Sequence, residues 1–443
     1  MIGVNTLERI QSLDTIARIG TLHRIMPTWL ESDGPNVPVG TICSIERIRG
    51  QADQDLLAEV VRVDRDGVSL VPYAAVANLS VGARIRALSG NARIPVGDAF
   101  LGRAINALGQ PIDGKPGILA DRFIPLNAEP LGALERESTS KVLQTGLRAI
   151  DGLLTLGHGQ RIGIFAASGV GKTSLMSQLL RQVEADHCVI CLVGERGREV
   201  EALWSHDLPA ATRARTVLVA ATSDQAAALR VRAVAQALAL ADNWRSQGKH
   251  VLLVLDSVTR LAMALREMGL AAGEPPTVRA YTPSVFAAIP KIVERCGSIR
   301  GGGSISAIMT VLSETDDVDD PISELMKSLL DGHLVLSRPL AEKGHFPAID
   351  PLRSVSRNSN KLVDARHQAD AMHALALIAK YESSRNLIES GLYNAGSNAE
   401  IDAAIAAQPA LDGFMKQGMD EAISFDLMRT HLKSALGSAD ARP

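Results

Sequence analysis

The sequence predicts an α/β protein: a central domain on a parallel sheet, with a small N-terminal β-barrel before it and a C-terminal helical domain after it. Three observations carry this expectation. Short β-type runs crowd the chain up to Leu88, continuous apolar runs alternate with helical stretches from Leu147 onward, and only helical patterns follow Arg366. The boundaries fall at 1–88, 89–365 and 366–443, and a length of 443 residues suits about three domains.

Each element has its own signal. Leu7, Ile10, Leu13 and Ile16 recur at helical spacing, as in a short amphipathic segment or a frayed terminus. The runs 17–26, 41–49, 58–63, 68–72 and 84–88 are punctuated by Gly, Pro and Asp, the pattern of a small barrel. From Pro95 to Pro130 the pattern loosens into a Gly/Pro-rich connection that includes Gly109-Gln-Pro-Ile-Asp-Gly114. The runs 161–165, 188–193, 216–220, 250–255, 305–311 and 332–336 are continuously apolar, which predicts strands buried on both faces and covered by helices. Helices fill the remainder, broken by a turn at Tyr393-Asn-Ala-Gly-Ser-Asn398.

Composition narrows the function classes. The formal net charge is only −3 and aromatics make up 3% of the chain, so neither a basic field nor stacking platforms favour nucleic acid. No apolar run approaches the roughly 20 residues of a spanning helix, and no signal peptide opens the chain, which points to the cytoplasm. Four cysteines form no disulfide framework. Cys188 and Cys191 have Cys-x-x-Cys spacing but lie in an apolar run without a second pair, so they read as buried strand thiols rather than zinc ligands.

The chemistry begins at Ala166-Ala-Ser-Gly-Val-Gly-Lys-Thr173, between a strand and a helical pattern. Strand, glycine-rich loop and helix together make a phosphate cradle of inward N–H groups and a positive helix end. Ser168, Gly169, Val170, Gly171, Lys172, Thr173 and Ser174 are the candidate contacts; Lys172 suits the β- and γ-phosphates and the Thr173 hydroxyl suits Mg²⁺. Gly169 and Gly171 leave room for close approach, while Ala166 replaces the outermost glycine of the usual pattern. The alternative is a chance Gly-Lys-Thr in a turn.

Val251-Leu-Leu-Val-Leu-Asp256 reads as a buried strand ending in a carboxylate that suits Mg²⁺ through its waters. A neighbouring strand runs into Gly194-Glu-Arg-Gly-Arg-Glu199, where Glu195 suits activation of a water and Arg196 suits orientation of that carboxylate. A solvated charge cluster is the other reading of this loop.

Gly194-Glu-Arg-Gly-Arg-Glu-Val200 resembles the signature of the rotary-type ATPases, and of the type III protein-export ATPases in particular. Ala149-Ile-Asp-Gly-Leu-Leu-Thr155, Gly159-Gln-Arg-Ile-Gly-Ile-Phe165, Asp256-Ser-Val-Thr-Arg260, Gly269-Leu-Ala-Ala-Gly-Glu-Pro-Pro276, Pro283-Ser-Val-Phe286, Leu330-Asp-Gly-His-Leu-Val-Leu-Ser-Arg338 and His345-Phe-Pro-Ala-Ile-Asp350 resemble the same family, densely from about 90 to 360. The resemblance implies a P-loop, RecA-like ATPase domain that uses ATP and Mg²⁺. It implies phosphate and metal contacts at Lys172 and Thr173, a water-activating acid at Glu195, a second metal-site acid at Asp256, arginines near the γ-phosphate at Arg196 and Arg260, and an adenine-stacking aromatic at Phe346. The loop from Asp316 to Pro321 resembles one that faces a central stalk, and Ser354-Val-Ser-Arg357 resembles the segment that carries an arginine into the neighbouring subunit's nucleotide.

A chain with both Glu195 and Arg357 can build a ring of identical subunits in which every interface hydrolyses ATP; for Arg357 a structural salt bridge is the bland alternative. The resemblance further implies a homohexamer, a stator-type regulator, a central-stalk protein, export chaperones and substrates, a membrane export gate, and peripheral association with the inner membrane. Flagellar use is favoured slightly over an injectisome. The competing readings are a catalytic subunit of a rotary ATP synthase and a ring-shaped RNA translocase. The second is disfavoured because residues 1–88 offer one Trp and one Tyr. Two departures from the family pattern stand out: Leu261 replaces an aromatic, and three glycines at 301–303 suggest a mobile element.

Overall fold

The computed structural model describes residues 17–48, 54–88, 93–126, 128–312 and 320–440. The segment carrying Leu7 to Ile16 and most of the loop at 316–321 lie outside the described residues. Six strands close a barrel in the order β1-β2-β5-β4-β3-β6. They are β1 (Ile19–Ile25), β2 (Leu30–Ser32), β3 (Ile42–Ile45), β4 (Leu56–Val63), β5 (Val68–Pro72) and β6 (Arg84–Ala87). Leu22, Leu30, Ile45, Leu56, Leu70 and Ile85 fill its interior. β2 carries only three residues and has no periodic signature, which is why the sequence reading passes over it.

After β7 (Arg93–Val96) the chain enters the segment expected to be a loose connection. The structure corrects that expectation. β7 pairs with β9 (Arg122–Pro125), and β8 (Arg103–Asn106) joins the main sheet parallel to β13 (Thr216–Ala221). β8 is held by Arg103, whose guanidinium bonds Asp113 at 2.7 Å and holds that carboxyl down at about 2. An edge strand anchored by an ion pair needs no apolar run, so hydropathy does not reveal it.

The main sheet runs in the order β18-β17-β11-β16-β14-β12-β13-β8. Its remaining strands are β11 (Arg161–Ala166), β12 (His187–Val193), β14 (His250–Asp256), β16 (Ser304–Leu312), β17 (Gly332–Leu336) and β18 (Ile349–Ser356). All neighbours are parallel except the last pair, where β18 returns antiparallel to β17. The continuous apolar runs are explained by a separate hydrophobic cluster on each face. Cys188, Ile190 and Leu192 face one, while Val189, Cys191 and Val193 face the other. Spacing of three on a strand thus points Cys188 and Cys191 to opposite faces, and neither forms a disulfide.

A short pair, β10 (Arg136–Glu137) with β15 (Gly297–Ile299), extends the sheet beside β16. Between β15 and β16 the three glycines make a tight hairpin. Gly301 has φ +67, and a Cβ on Gly303 would meet the Lys249 carbonyl at 2.4 Å. Leu261 is fully buried in the core, where an aliphatic side chain fits. The helices Ala365–Glu389, Ala399–Met415 and Phe425–Asp440 pack on one sheet face through Leu377, Ile378, Leu411, Phe414 and Leu432. No helix among the described residues is long and apolar enough to cross a membrane.

Candidate active site

Parallel strands deliver their loops to one carboxyl edge, and the sheet order decides which loops meet there. β11 ends at the phosphate loop, β14 ends at Asp256, and β12 runs directly into Gly194 and Glu195. Between β11 and β14 lies β16, so the loop and the two acids occupy adjoining positions along the edge. The helix Lys172–Gln182 starts at the loop, and Gly169 (φ +81) and Gly171 (φ +93) hold left-handed backbone that favours glycine. Ser168, Gly169, Thr173 and Ser174 face solvent at the loop, and Val170 anchors it in the core.

Lys172 lies between two acids. Its Nζ donates to Asp256 Oδ1 at 2.6 Å and stands 3.6 Å from Glu195 Oε1. Asp256 is 3% exposed and also accepts the Thr310 hydroxyl on the same Oδ1. Glu195 is 4% exposed. Its Oε2 lies 3.1 Å from the Arg260 guanidinium, which also donates to the Gly194 carbonyl. The other oxygen, Oε1, is buried without a hydrogen-bond partner, so it can accept a bond from a bound molecule. Burial raises Glu195 above the ordinary carboxylate range; a hydrogen bond with Glu199 pushes the same way, against Lys172 and Arg260. That same hydrogen bond holds Glu199 below its ordinary value.

The expected role of Arg196 is not supported by its position. Arg196 caps the helix Gly197–Ala202 with its side chain 65% exposed, 4.0 Å from Glu199. The arginine that holds Glu195 comes instead from the helix Val258–Ala271, which leaves the end of β14 beside β12. Phe346 is brought to the loop: a Cβ on Gly171 would lie 3.4 Å from its ring, which is 46% exposed.

Arg357 is not part of this cluster. β18 carries the chain from Ile349, beside Leu336, back to Ser356, beside Gly332, so Arg357 emerges at the amino edge of the sheet. Its backbone N–H bonds the Asp331 carbonyl and its exposed guanidinium donates to the Lys327 carbonyl at 3.0 Å. That is a backbone contact, not the salt bridge weighed as an alternative.

Glu199 and Thr310 join the site without a sequence signal of their own. Glu199 lies four residues beyond Glu195, inside the short helix Gly197–Ala202, and Thr310 is a lone threonine in an apolar strand.

A phosphate loop and two buried acids at the carboxyl edge of a parallel sheet define a P-loop ATPase. Comparison with known proteins agrees. Residues 146–356 match the ATP synthase alpha/beta family, nucleotide-binding domain, and residues 363–434 match the T3SS EscN ATPase C-terminal domain. The "Flagellum-specific ATP synthase" of Pseudomonas aeruginosa is 43% identical, over 95% of this chain and 94% of that protein. The "Type 3 secretion system ATPase" of Xanthomonas euvesicatoria is 42% identical over 95% of both chains. Among solved structures, the assembled ATPase EscN of the enteropathogenic E. coli type III secretion system aligns with TM-score 0.89 and 40% identity, covering 94% of this chain and all of that one. EscN in complex with its central stalk EscO aligns at 0.86 and 39%, with the same coverage. The chain belongs to the family of flagellar and type III secretion ATPases.

Proposed function

We propose that this chain hydrolyses ATP to drive protein export through a type III apparatus, releasing chaperones from export substrates, unfolding them and loading them at a membrane gate. The flagellar system is slightly favoured over an injectisome, in line with the relative from Pseudomonas aeruginosa. The observation that carries the enzymatic part is the buried Glu195, with one oxygen held by Arg260 and the other, 3.6 Å from Lys172, without a hydrogen-bond partner.

In this reading the phosphates of ATP enter the loop, and Lys172 leaves Asp256 for the β- and γ-phosphates. The Thr173 hydroxyl at the loop and the Asp256 carboxylate at the end of β14 are hard oxygen donors, the residue types that would hold Mg²⁺. Bound there, Mg²⁺ would supply positive charge to offset that of the phosphates. Glu195 Oε1 accepts a hydrogen bond from the attacking water, and Arg260 fixes the carboxylate plane. As the water oxygen bonds to the γ-phosphorus and the bond to ADP breaks, the water proton passes to Glu195. Glu199, which raises the Glu195 carboxyl and whose own side chain is half exposed, is the neighbouring acid that this reading assigns to passing that proton to solvent. Phe346, whose ring lies beside Gly171 of the loop, is the aromatic this reading assigns to stacking on adenine.

Arg357 acts in the neighbouring subunit's site, which makes the working form a ring of identical chains, a homohexamer. The assembled EscN and its complex with a central stalk support a ring and a stalk partner; a stator-type regulator and association with the inner membrane belong to the same reading. The units 1–88, 89–365 and 366–443 serve as barrel, ATPase and helical domains. Glu195→Gln tests the chemistry. ATP binding should persist while single-turnover hydrolysis falls by about 10²–10⁴-fold; hydrolysis within a few-fold of wild type would mean that another group activates the water.

A further inference from the structure

We propose that Thr310 is a positioning residue that allows Lys172 to leave Asp256 for the phosphates of an arriving nucleotide. The inference rests on the phosphate-loop reading above. Thr310 lies on β16, between the loop strand and the strand that ends in Asp256, with Ile164 of β11 as its register neighbour. It is fully buried in a stretch where Ile305, Ala307, Ile308, Met309 and Val311 are buried hydrophobics. A hydroxyl at such a position costs stability unless it is bonded, and this one donates to Asp256 Oδ1.

That oxygen is the one Lys172 occupies. Once Lys172 moves to the phosphates, the Asp256 carboxylate loses its cation while remaining at a site 3% exposed. A buried carboxylate without a partner is expensive, and the Thr310 hydroxyl is the partner that stays. In the free enzyme, loss of the hydroxyl is cushioned because Lys172 still pairs with Asp256. In the nucleotide-bound enzyme it leaves Oδ1 without either donor. Removing the hydroxyl therefore penalises the bound state more, and affinity falls. Metal-free conditions expose the effect, because no cation then replaces the lysine charge.

The test is equilibrium binding of ATP to the full-length chain in excess EDTA, followed by calorimetry. Thr310→Val keeps the side-chain shape and removes the donor; affinity should fall about tenfold, the scale of a hydrogen bond to a charged group. Thr310→Ser restores the donor and should bind within about twofold of wild type. Thr310→Ala supplies a second donor-less chain should valine disturb folding, with unfolding curves checking each variant. Wild-type affinity in a folded Thr310→Val or Thr310→Ala chain overturns the proposal. So does equal weakening in Thr310→Ser, because shape rather than the hydroxyl would then matter. Lys172→Ala is measured alongside: unchanged affinity there overturns the phosphate-loop reading itself, an outcome distinct from failure at Thr310.

Discussion

Arg357→Ala separates a ring-shaped enzyme from a self-sufficient subunit. The fold supplies the magnitude. Arg357 is tied to Asp331 at the start of β17, and Asp331 in turn bonds the Arg161 carbonyl at the start of β11, whereas the phosphate loop begins at that strand's far end. β11 has six residues, so the two points are roughly 20 Å apart. An arginine side chain does not cover that separation, so Arg357 cannot serve the nucleotide of its own chain. Acting in trans, it should contribute about 10³–10⁵ in rate, as fingers of this kind do. Arg357→Ala should therefore bind nucleotide normally as a monomer and lose nearly all turnover. Mixing supplies the decisive assay. Arg357→Ala and Lys172→Ala chains are each inactive alone. In an equimolar ring about one interface in four pairs an intact Lys172 with an intact Arg357, so roughly a quarter of wild-type activity should return. Mixtures that form rings and stay inactive would refute the trans assignment. Substantial activity in Arg357→Ala alone would do the same.

Other perturbations address the cluster and its support. Arg260→Ala removes a cation that stabilises ionised Glu195, so the carboxyl should titrate higher. The acidic limb of the kcat–pH profile should then move to higher pH; an unmoved limb in a folded variant would detach Arg260 from Glu195. A separate pH effect belongs to stability. His158 stacks on His250 at 3.9 Å, and burial first, then His250 and Lys141, bring its value down from 6.5 to about 4. The folded state thus binds fewer protons than the unfolded chain below about pH 6.5, so this contribution is present above that pH and lost progressively toward pH 4. Urea midpoints should decline across that window, and His158→Gln should flatten the decline; an unaltered slope would exclude this pair as its source.

Several parts of the site were legible because they depend on local chain chemistry. The loop Ala166 to Thr173 announces itself through glycines that only left-handed backbone requires, and Asp256 through the apolar run preceding it. Glu195 stood out by following a buried strand. Arg196 was the natural partner for Glu195 in one dimension, being its neighbour, but a helix cap turns it outward and the end of another strand supplies Arg260. β8 and β18 escaped notice for a related reason: edge strands have one free side and carry no continuous apolar signature.

The fold class, the phosphate loop and the two acids follow from local chain order, since periodicity, glycine placement and strand termini are encoded within a few residues of one another. Tertiary structure alone decided which groups meet. Sheet order brings Thr310 and Lys172 to a single oxygen of Asp256, gives Glu195 to Arg260, and carries Arg357 to the opposite edge. Those contacts join residues many positions apart, and their energies depend on burial, which exists only once the sheet has assembled.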